Sequence, residues 1–302
     1  MHARAVAATT TALLGAMALW PASEARATGG RERPLVVAHR GASAYVPENT
    51  LPAIDKAAAL GFRWVENDVQ RTKDGELVVL HDDSLRRTTN VEQVFPDRAP
   101  WKVKDFTAAE IARLDAGSWF SPAYAGTRVP TLDRYMRRVE HNHENLLLEI
   151  KNPGLYPGIE RQILKVLAKE GWLDHRHLAS RLIVQSFSAD SVRAVHALAP
   201  RVRTAYLGRP AEGDLRRYAG FADLINPSHG TLSAKYVNAV HAFTGPHGKP
   251  MKVFAWTVDD ASRARTLAGY GVDGIITDKP DVVRSALPAA EAPAPAPAFL
   301  VG

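Results

Sequence analysis

Acidic and basic side chains recur at the ends of short apolar runs in this sequence. Leu35-Val36-Val37-Ala38 leads into His39-Arg40, the run Trp64 to Val69 carries Glu66 and Asp68, and Leu146-Leu147-Leu148 leads into Glu149-Ile150-Lys151. Two positions apart on an extended strand, Glu66 and Asp68 project to one face, about 7 Å apart along the backbone. Glu149 and Lys151 repeat the arrangement. Three carboxylates in one place repel one another, and one is forced to keep its proton unless a cation lies among them. Hard oxygen donors in a chain with no cysteine suit one divalent ion, Mg²⁺ or Ca²⁺, better than zinc. Arg40 can grip phosphate oxygens bidentately and Lys151 supplies a point charge. Two imidazoles that titrate near neutrality, His39 and His81, can serve as acid and base. Together these are the parts for phosphoryl chemistry. Any one polar residue at a strand end has an ordinary structural explanation. A whole ring of buried charges does not, because each buried ion costs several kcal/mol.

His81 needs a device to bring it to this place. The run Glu76 to Leu80 follows Asp68 too closely for a parallel crossover, which takes about a dozen residues, so Lys73-Asp74-Gly75 is expected to be a hairpin turn. A two-residue Asp74-Gly75 turn of type I′, the form Asp-Gly favours, sets Lys73 opposite Glu76 and Asp68 opposite His81. Their β-carbons would then lie about 5 Å apart on one face. A three-residue turn would slip the register by one and put Asn67 there instead.

The elements that position these groups follow from the alternation of short β-branched runs with amphipathic stretches, the pattern of a parallel α/β sheet. Strands are expected at 35–38, 64–69, 146–150, 182–184, 203–207, 223–225, 253–256 and 274–277, with helices such as 158–170, 190–198 and 261–268 between them. Asn49-Thr50 is positioned to cap a helix that Gly61 stops. Eight strands with crossover helices predict a (β/α)8 TIM barrel, in which reactive groups gather at the carboxyl ends of the strands. A doubly wound sheet is disfavoured because no G-x-G-x-x-G loop follows the first strand. The hairpin and the stretch 82–130 form an insertion between barrel strands two and three, with Phe106–Asp115 helical and Gly117-Ser118-Trp119-Phe120 a loop.

The 302 residues carry 38 Lys+Arg against 32 Asp+Glu, a formal charge of +6, and 46% are hydrophobic. This balance excludes a wholly disordered chain. The basic residues are scattered, with no run of like charge to suggest nucleic acid as a partner. The lack of cysteine excludes thiol catalysis, thiolate metal sites and disulfides. No G-x-x-x-x-G-K-[ST] loop is present, and Gly41-Ala42-Ser43 is not a G-x-S-x-G elbow. Residues 1–27, with Arg4, an apolar stretch to Trp20 and Ala25-Arg26-Ala27, have the form of a cleaved signal peptide. The mature protein is therefore expected to be secreted or periplasmic, with no stable membrane insertion. Residues 288–302 form a Pro/Ala-rich tail, which leaves 34–287 as one barrel-sized domain. His141, His143, His175 and His177 sit in polar connections and read as surface histidines, while His229 follows strand six and could reach the pocket mouth.

Taken in order, His39-Arg40-Gly41-Ala42-Ser43, Pro47-Glu48-Asn49-Thr50-Leu51, Glu66-x-Asp68-Val69-x-x-Thr72-x-Asp74-Gly75, His81-Asp82, Leu85-x-Arg87-Thr88-Thr89, Leu114-Asp115-Ala116-Gly117, Pro130-Thr131-Leu132, Glu149-Ile150-Lys151, Gln185-Ser186-Phe187 and Trp256-Thr257-Val258 resemble the glycerophosphodiester phosphodiesterase family across the whole mature domain. Asn67 departs from the pattern, where a hydrophobic residue is commoner. The resemblance implies a divalent cation held by Glu66, Asp68 and Glu149, acid/base roles for His39 and His81, and phosphate binding by Arg40 and Lys151. It implies hydrolysis of a small glycerophosphodiester to glycerol 3-phosphate and an alcohol. It places Gln185 and Phe187 in the pocket lining and Trp256 against the glycerol, although a Trp there serves equally well as a core aromatic. Trp119 and Phe120 would either contact the leaving alcohol or anchor the insertion. A related sphingomyelinase D/phospholipase D-like lipid phosphodiesterase and a non-catalytic exported binder of glycerophosphate polymers are the alternative functions.

Overall fold

The computed structural model describes residues 33–288; the expected signal segment and the tail from 289 onward lie outside them. Eight parallel strands close into a barrel: β1 (Leu35–Ala38), β2 (Trp64–Arg71), β4 (Asn145–Ile150), β5 (Leu182–Ser186), β6 (Arg203–Leu207), β7 (Leu224–Asn226), β8 (Lys252–Ala255) and β9 (Gly274–Thr277). The order is β1-β9-β8-β7-β6-β5-β4-β2, and pairing of β1 with β2 shuts the ring. Helices such as Ile159–Lys169, Ala189–Leu198 and Ala261–Tyr270 cross back between strands. The fold predicted from the alternation is the one found.

Each barrel strand contributes one residue to a packed interior layer: Val37, Trp64, Leu147, Ile183, Ala205, Leu224, Phe254 and Ile276. These fill the barrel below the strand ends, so it is a solid core rather than a channel. The alternate residues, among them Val65, Val69, Leu146 and Leu148, face outward into a second apolar cluster with the helices. Period-two alternation therefore sends Glu66, Asp68 and Glu149 upward from the interior layer.

β3 (Leu77–Val79) runs antiparallel to the top of β2, on the edge that β1 has vacated; Val69 pairs with Ile150 on one side and Val79 on the other. Its register differs from the favoured expectation. Val69 lies opposite Val79 and Arg71 opposite Leu77, which is the three-residue turn that aligns Asn67, not Asp68, with His81. Thr72 N–H bonds the Glu76 carbonyl and Gly75 N–H the Thr72 carbonyl, and only Gly75 of the turn has a positive φ, +91°. A type I′ turn would need positive φ at Asp74 too. The Asp74 carboxylate instead accepts from the Thr72 hydroxyl and from Ala108 N–H of the insertion, and Lys73 N–H bonds the Phe106 carbonyl. Docking of the insertion thus selects the turn.

The insertion has its own core, including Leu80, Leu85, Phe106, Ile111 and Leu114. Its helix is shorter than expected, Ala108–Ile111, started by a Thr107/Glu110 capping box. Of the connecting histidines, His141, His143 and His175 are exposed, as expected. His177 is not: it is only 6% exposed. Asp174 caps the helix His175–Ser180 by accepting from His177 N–H and also bonds its Nδ1 at 2.7 Å, while Glu140 meets Nε2 at 3.1 Å. The Asp174-x-x-His177 spacing, one helical turn, draws the ring inward onto Trp172.

Candidate active site

A tight turn follows β1. Arg40 has a left-handed φ of +54°, and its N–H donates to Glu66 Oε2 at 3.0 Å. Gly41 has φ +81°, and a β-carbon there would fall 2.6 Å from Ala53 backbone atoms, so only glycine fits. The turn feeds the helix Leu51–Ala59, whose preceding Thr50 makes no side-chain cap; its hydroxyl bonds the Pro47 carbonyl instead. Asn49 is not a cap either. Its side chain donates to Asp68 Oδ2 at 2.8 Å and accepts from Asp68 N–H at 3.3 Å, which makes it a fixed partner of the acidic cluster.

Glu66, Asp68 and Glu149 converge, with one oxygen from each lying within 4.8 Å of the others, and all three are buried. Burial, followed by repulsion from its acidic neighbours, raises the Glu66 pKa well above the usual carboxylate range, and the same causes push Glu149 up to about 8. Burial alone would also raise Asp68, but Arg40 and Lys151 outweigh it and hold that carboxyl below the ordinary value. Asp68 Oδ1 and Glu149 Oε1 are buried and meet no donor but the Lys151 ammonium, at 3.6 and 2.8 Å. Hard oxygens from three buried carboxylates, brought within 4.8 Å of one another, fit a divalent cation.

The two histidines are each backed by a carboxylate. His39 Nδ1 lies 2.7 Å from Asp278 Oδ1, and Ser43 donates to the same oxygen at 2.8 Å. His81 Nδ1 lies 2.7 Å from Asp82 Oδ1. Neither Nε2 has a hydrogen-bond partner among the described residues; that of His39 stands 3.9 Å from Glu66 Oε2. Burial lowers the His81 pKa, helped by Arg40 and Lys151 and opposed by Asp68 and Asp82. His81 reaches the pocket despite the shifted register because the chain leaves the ladder after Leu80, whose N–H still bonds the Asp68 carbonyl at 2.9 Å. The buried Gln70 amide donates to the carbonyls of Leu80 (2.9 Å) and His81 (3.1 Å), and its own oxygen accepts from Tyr156 Oη at 2.9 Å.

Nine of the ten residues singled out from the sequence line one pocket of about 100 Å³: His39, Arg40, Glu66, His81, Glu149, Lys151, Gln185, Phe187 and Trp256. Asp68 is fully buried, level with Glu149 in the β2–β4 register. Lys151 Nζ is 2.8 Å from Glu149 Oε1 and 3.6 Å from Asp68 Oδ1. Gln185 accepts from Asn226 at 2.9 Å and donates to Glu66 at 3.4 Å. Trp256 is a pocket wall, with Nε1 tied to the Asn226 carbonyl at 2.7 Å and its ring meeting the half-exposed Phe187 edge-on. His229 is outside the lining; its Nδ1 accepts from Arg263 at 3.1 Å.

Sequence reasoning misses the residues that hold these groups. Asp278 sits just past β9, the same strand-end position that His39 holds after β1, so that signal is present in the chain. Arg87 stands in the Leu85-x-Arg87-Thr88-Thr89 motif, but its position in the chain gives no sign of its partners. It donates to both Asp82 oxygens (2.7 and 3.0 Å) and both Glu48 oxygens (2.8 and 2.7 Å), and Glu48 accepts from Arg40 at 2.9 Å. His81 and Arg40 are therefore linked through Asp82, Arg87 and Glu48. Hydrogen bonds and charge from Arg87 and His81 overcome burial and hold Asp82 down at about 2. Trp119 and Phe120 pack edge-on, with Arg87 above the Trp119 ring; they brace the insertion and are absent from the pocket lining.

Residues 39–282 match the sequence pattern of the glycerophosphoryl diester phosphodiesterase family. The Bacillus subtilis protein YhdW is 38% identical over 253 residues, 82% of this chain and 96% of that one. A glycerophosphodiester phosphodiesterase of Caldanaerobacter subterraneus is 36% identical, with 83% and 96% covered. Among solved structures, an Oleispira antarctica phosphodiesterase in complex with the product sn-glycerol-3-phosphate superposes with a TM-score of 0.72 at 29% identity, covering 84% of this chain and 96% of that one. With the family pattern spanning the barrel from the His39 turn to the last helix, this chain belongs to the glycerophosphoryl diester phosphodiesterase family.

Proposed function

We propose that the protein is a metal-dependent phosphodiesterase that hydrolyses glycerophosphodiesters to glycerol 3-phosphate and an alcohol. One observation carries the reading: a buried carboxylate cluster, two carboxylate-backed imidazoles and two cations share one small pocket. Glu66, Asp68 and Glu149 would hold a divalent cation, Mg²⁺ or Ca²⁺, which when bound offsets charge developing on the phosphoryl oxygens. Arg40 and Lys151 bind and orient the phosphate, Arg40 from a turn locked to Glu66 and Asn49 from the adjoining stretch keeping Asp68 in place. Asp278 and Asp82 hold the Nδ1 side of their imidazoles and leave Nε2 for proton transfer. One histidine takes the proton from the attacking hydroxyl and the other delivers one to the departing alkoxide. Trp256 provides an apolar wall for the glycerol carbons. The sn-glycerol-3-phosphate bound to the Oleispira relative supports the product assignment.

The test is glycerol 3-phosphate release by a coupled assay, before chelation, after it and after re-addition of each ion. Turnover that survives full chelation contradicts the metal requirement, and turnover that survives His39→Ala or His81→Ala contradicts the acid/base roles. Export is proposed on the signal-like residues 1–27; N-terminal sequencing of the mature protein should start after Ala27. No helix among the described residues is long and apolar enough to cross a membrane.

A further inference from the structure

Ligands of ordinary drug size occupy pockets of about 300–1,000 Å³, so the catalytic pocket of about 100 Å³ holds only part of a diester. An open groove of about 580 Å³ adjoins it and shares Glu149, Lys151 and Phe187 as walls. The groove lies between the turn Pro153–Leu155 after β4 and Asp83 of the insertion. Phe187 is 48% exposed and Leu155 43%, two of the few large apolar side chains left open to solvent. The Phe187 ring is held in place, edge-on to Trp256 and with Lys151 Nζ 5.4 Å from its centre.

Apart from Glu149, which belongs to the acidic cluster, Asp83 is the one acidic residue among the groove walls. Its side chain is 40% exposed, and one oxygen, Oδ2, pairs with Lys102 Nζ at 2.8 Å. Lys102 itself is not a groove wall. A phosphate held between Arg40 and Lys151 would leave its alcohol beside this groove, with Phe187 on the shared wall and Asp83 on the wall beyond it. An aromatic ring, an aliphatic lip and a carboxylate attract an ammonium group through its charge and its methyl or methylene carbons. A neutral polyol gains much less from an aromatic and aliphatic wall.

We propose that this groove is the head-group subsite and that it favours diesters whose leaving alcohol carries an ammonium group over those with a neutral polyol. The proposal rests on the phosphodiesterase reading above.

The test is kcat/KM, followed as glycerol 3-phosphate release, for glycerophosphocholine, glycerophosphoethanolamine, glycerophosphoglycerol and glycerophosphoinositol. The unsubstituted enzyme should prefer the first two. Asp83→Asn should lower the choline-to-glycerol ratio about two- to five-fold, the range of an exposed ion pair. Lys102→Gln, which frees the Asp83 carboxylate, should raise it. Phe187→Leu should lower it about two- to five-fold. Ratios that stay fixed, or that move the same way in Asp83→Asn and Lys102→Gln, overturn the subsite, as does a preference for polyols in the parent enzyme. Should Asp83→Asn fail to fold, the sign of the Lys102→Gln change decides alone. Failure of the parent enzyme to release glycerol 3-phosphate from any of the four overturns the phosphodiesterase reading itself.

Discussion

The two histidines of the site are built in opposite ways. His39 ends a barrel strand, and its carboxylate partner Asp278 lies 239 positions away on the neighbouring strand end. The pairing of β1 with β9, residue for residue from Leu35–Gly274 to Ala38–Thr277, places them together. His81 lies beyond a short antiparallel strand, its partner is the next residue, and both depend on Gln70 and Arg87 to hold them. One half of the site is set by barrel closure and the other by a side-chain network reaching into an insertion. A closed barrel can lose a side chain and keep its register, whereas a network loses geometry when one member goes.

The largest effects should come from the reacting groups, where the two halves are equal. His39→Ala and His81→Ala should each reduce kcat by about 10²–10⁴ with the circular dichroism spectrum unchanged. A loss of fold rather than turnover would argue that the ring is structural. The halves should separate at the next level. Arg87→Gln leaves Asp82 and Glu48 without their shared cation, and kcat should fall about 10–100-fold, by analogy with the loss of an orienting partner. Arg87→Lys should recover only part, because one ammonium cannot bond two carboxylates in fork geometry. The histidine NMR resonances should shift at His81 and stay in place at His39. Equal movement of both would mean that the two halves are one rigid unit.

Stability offers a finer comparison. Asn67, on the outward face of β2 and opposite Leu148 of β4, is fully buried with neither side-chain polar atom bonded. Asn67→Leu keeps the branching and the number of side-chain heavy atoms and removes the unmet donor and acceptor, so it should stabilise by about 1–2 kcal/mol and raise Tm by a few degrees without changing kcat. An unaltered or lower Tm would show that the amide is satisfied in solution.

A further effect, confined by pH, concerns Glu144 below the catalytic end. It precedes β4, has no exposure, and neither carboxylate oxygen has a partner in hydrogen-bond geometry; burial is the main cause that pushes its pKa up to about 8. A folded value above the unfolded one, about 4.3, means that the native state favours the protonated form. Its contribution is full below about pH 4.3 and is lost as pH rises through 8, at up to about 1.4 kcal/mol per pH unit. Glu144→Gln should therefore leave Tm at pH 4 nearly unchanged and raise it at pH 8.5. A parallel pH profile for parent and variant would place the titration elsewhere.

Much of this site is legible in the amino-acid sequence. The strand ends carrying His39, Glu66, Asp68 and Glu149 stand out because period-two alternation converts sequence spacing into a shared face. The hairpin is visible in Lys73-Asp74-Gly75, but its register is not. The choice between two- and three-residue turns rests on Lys73 and Asp74 bonding Phe106 and Ala108, more than thirty residues away. Asn49 has the type and position of a helix cap and equally of a carboxylate partner, and only the approach of Asp68 decides between them. His177 reads as exposed because a polar connection gives no hint that Asp174 and Glu140 enclose it.

Local pattern alone determined the eight-stranded barrel, the face on which the acids and Lys151 lie, and the residues able to hold a cation and a phosphate, because these depend on contacts a few residues apart. The tertiary structure alone decided that Asp278 backs His39, that Arg87 joins Asp82 to Glu48, and that Gln70 turns His81 over the pocket. Those bonds link residues brought together by barrel closure and by docking of the insertion, and a hydrogen bond across such a distance leaves no period in the chain.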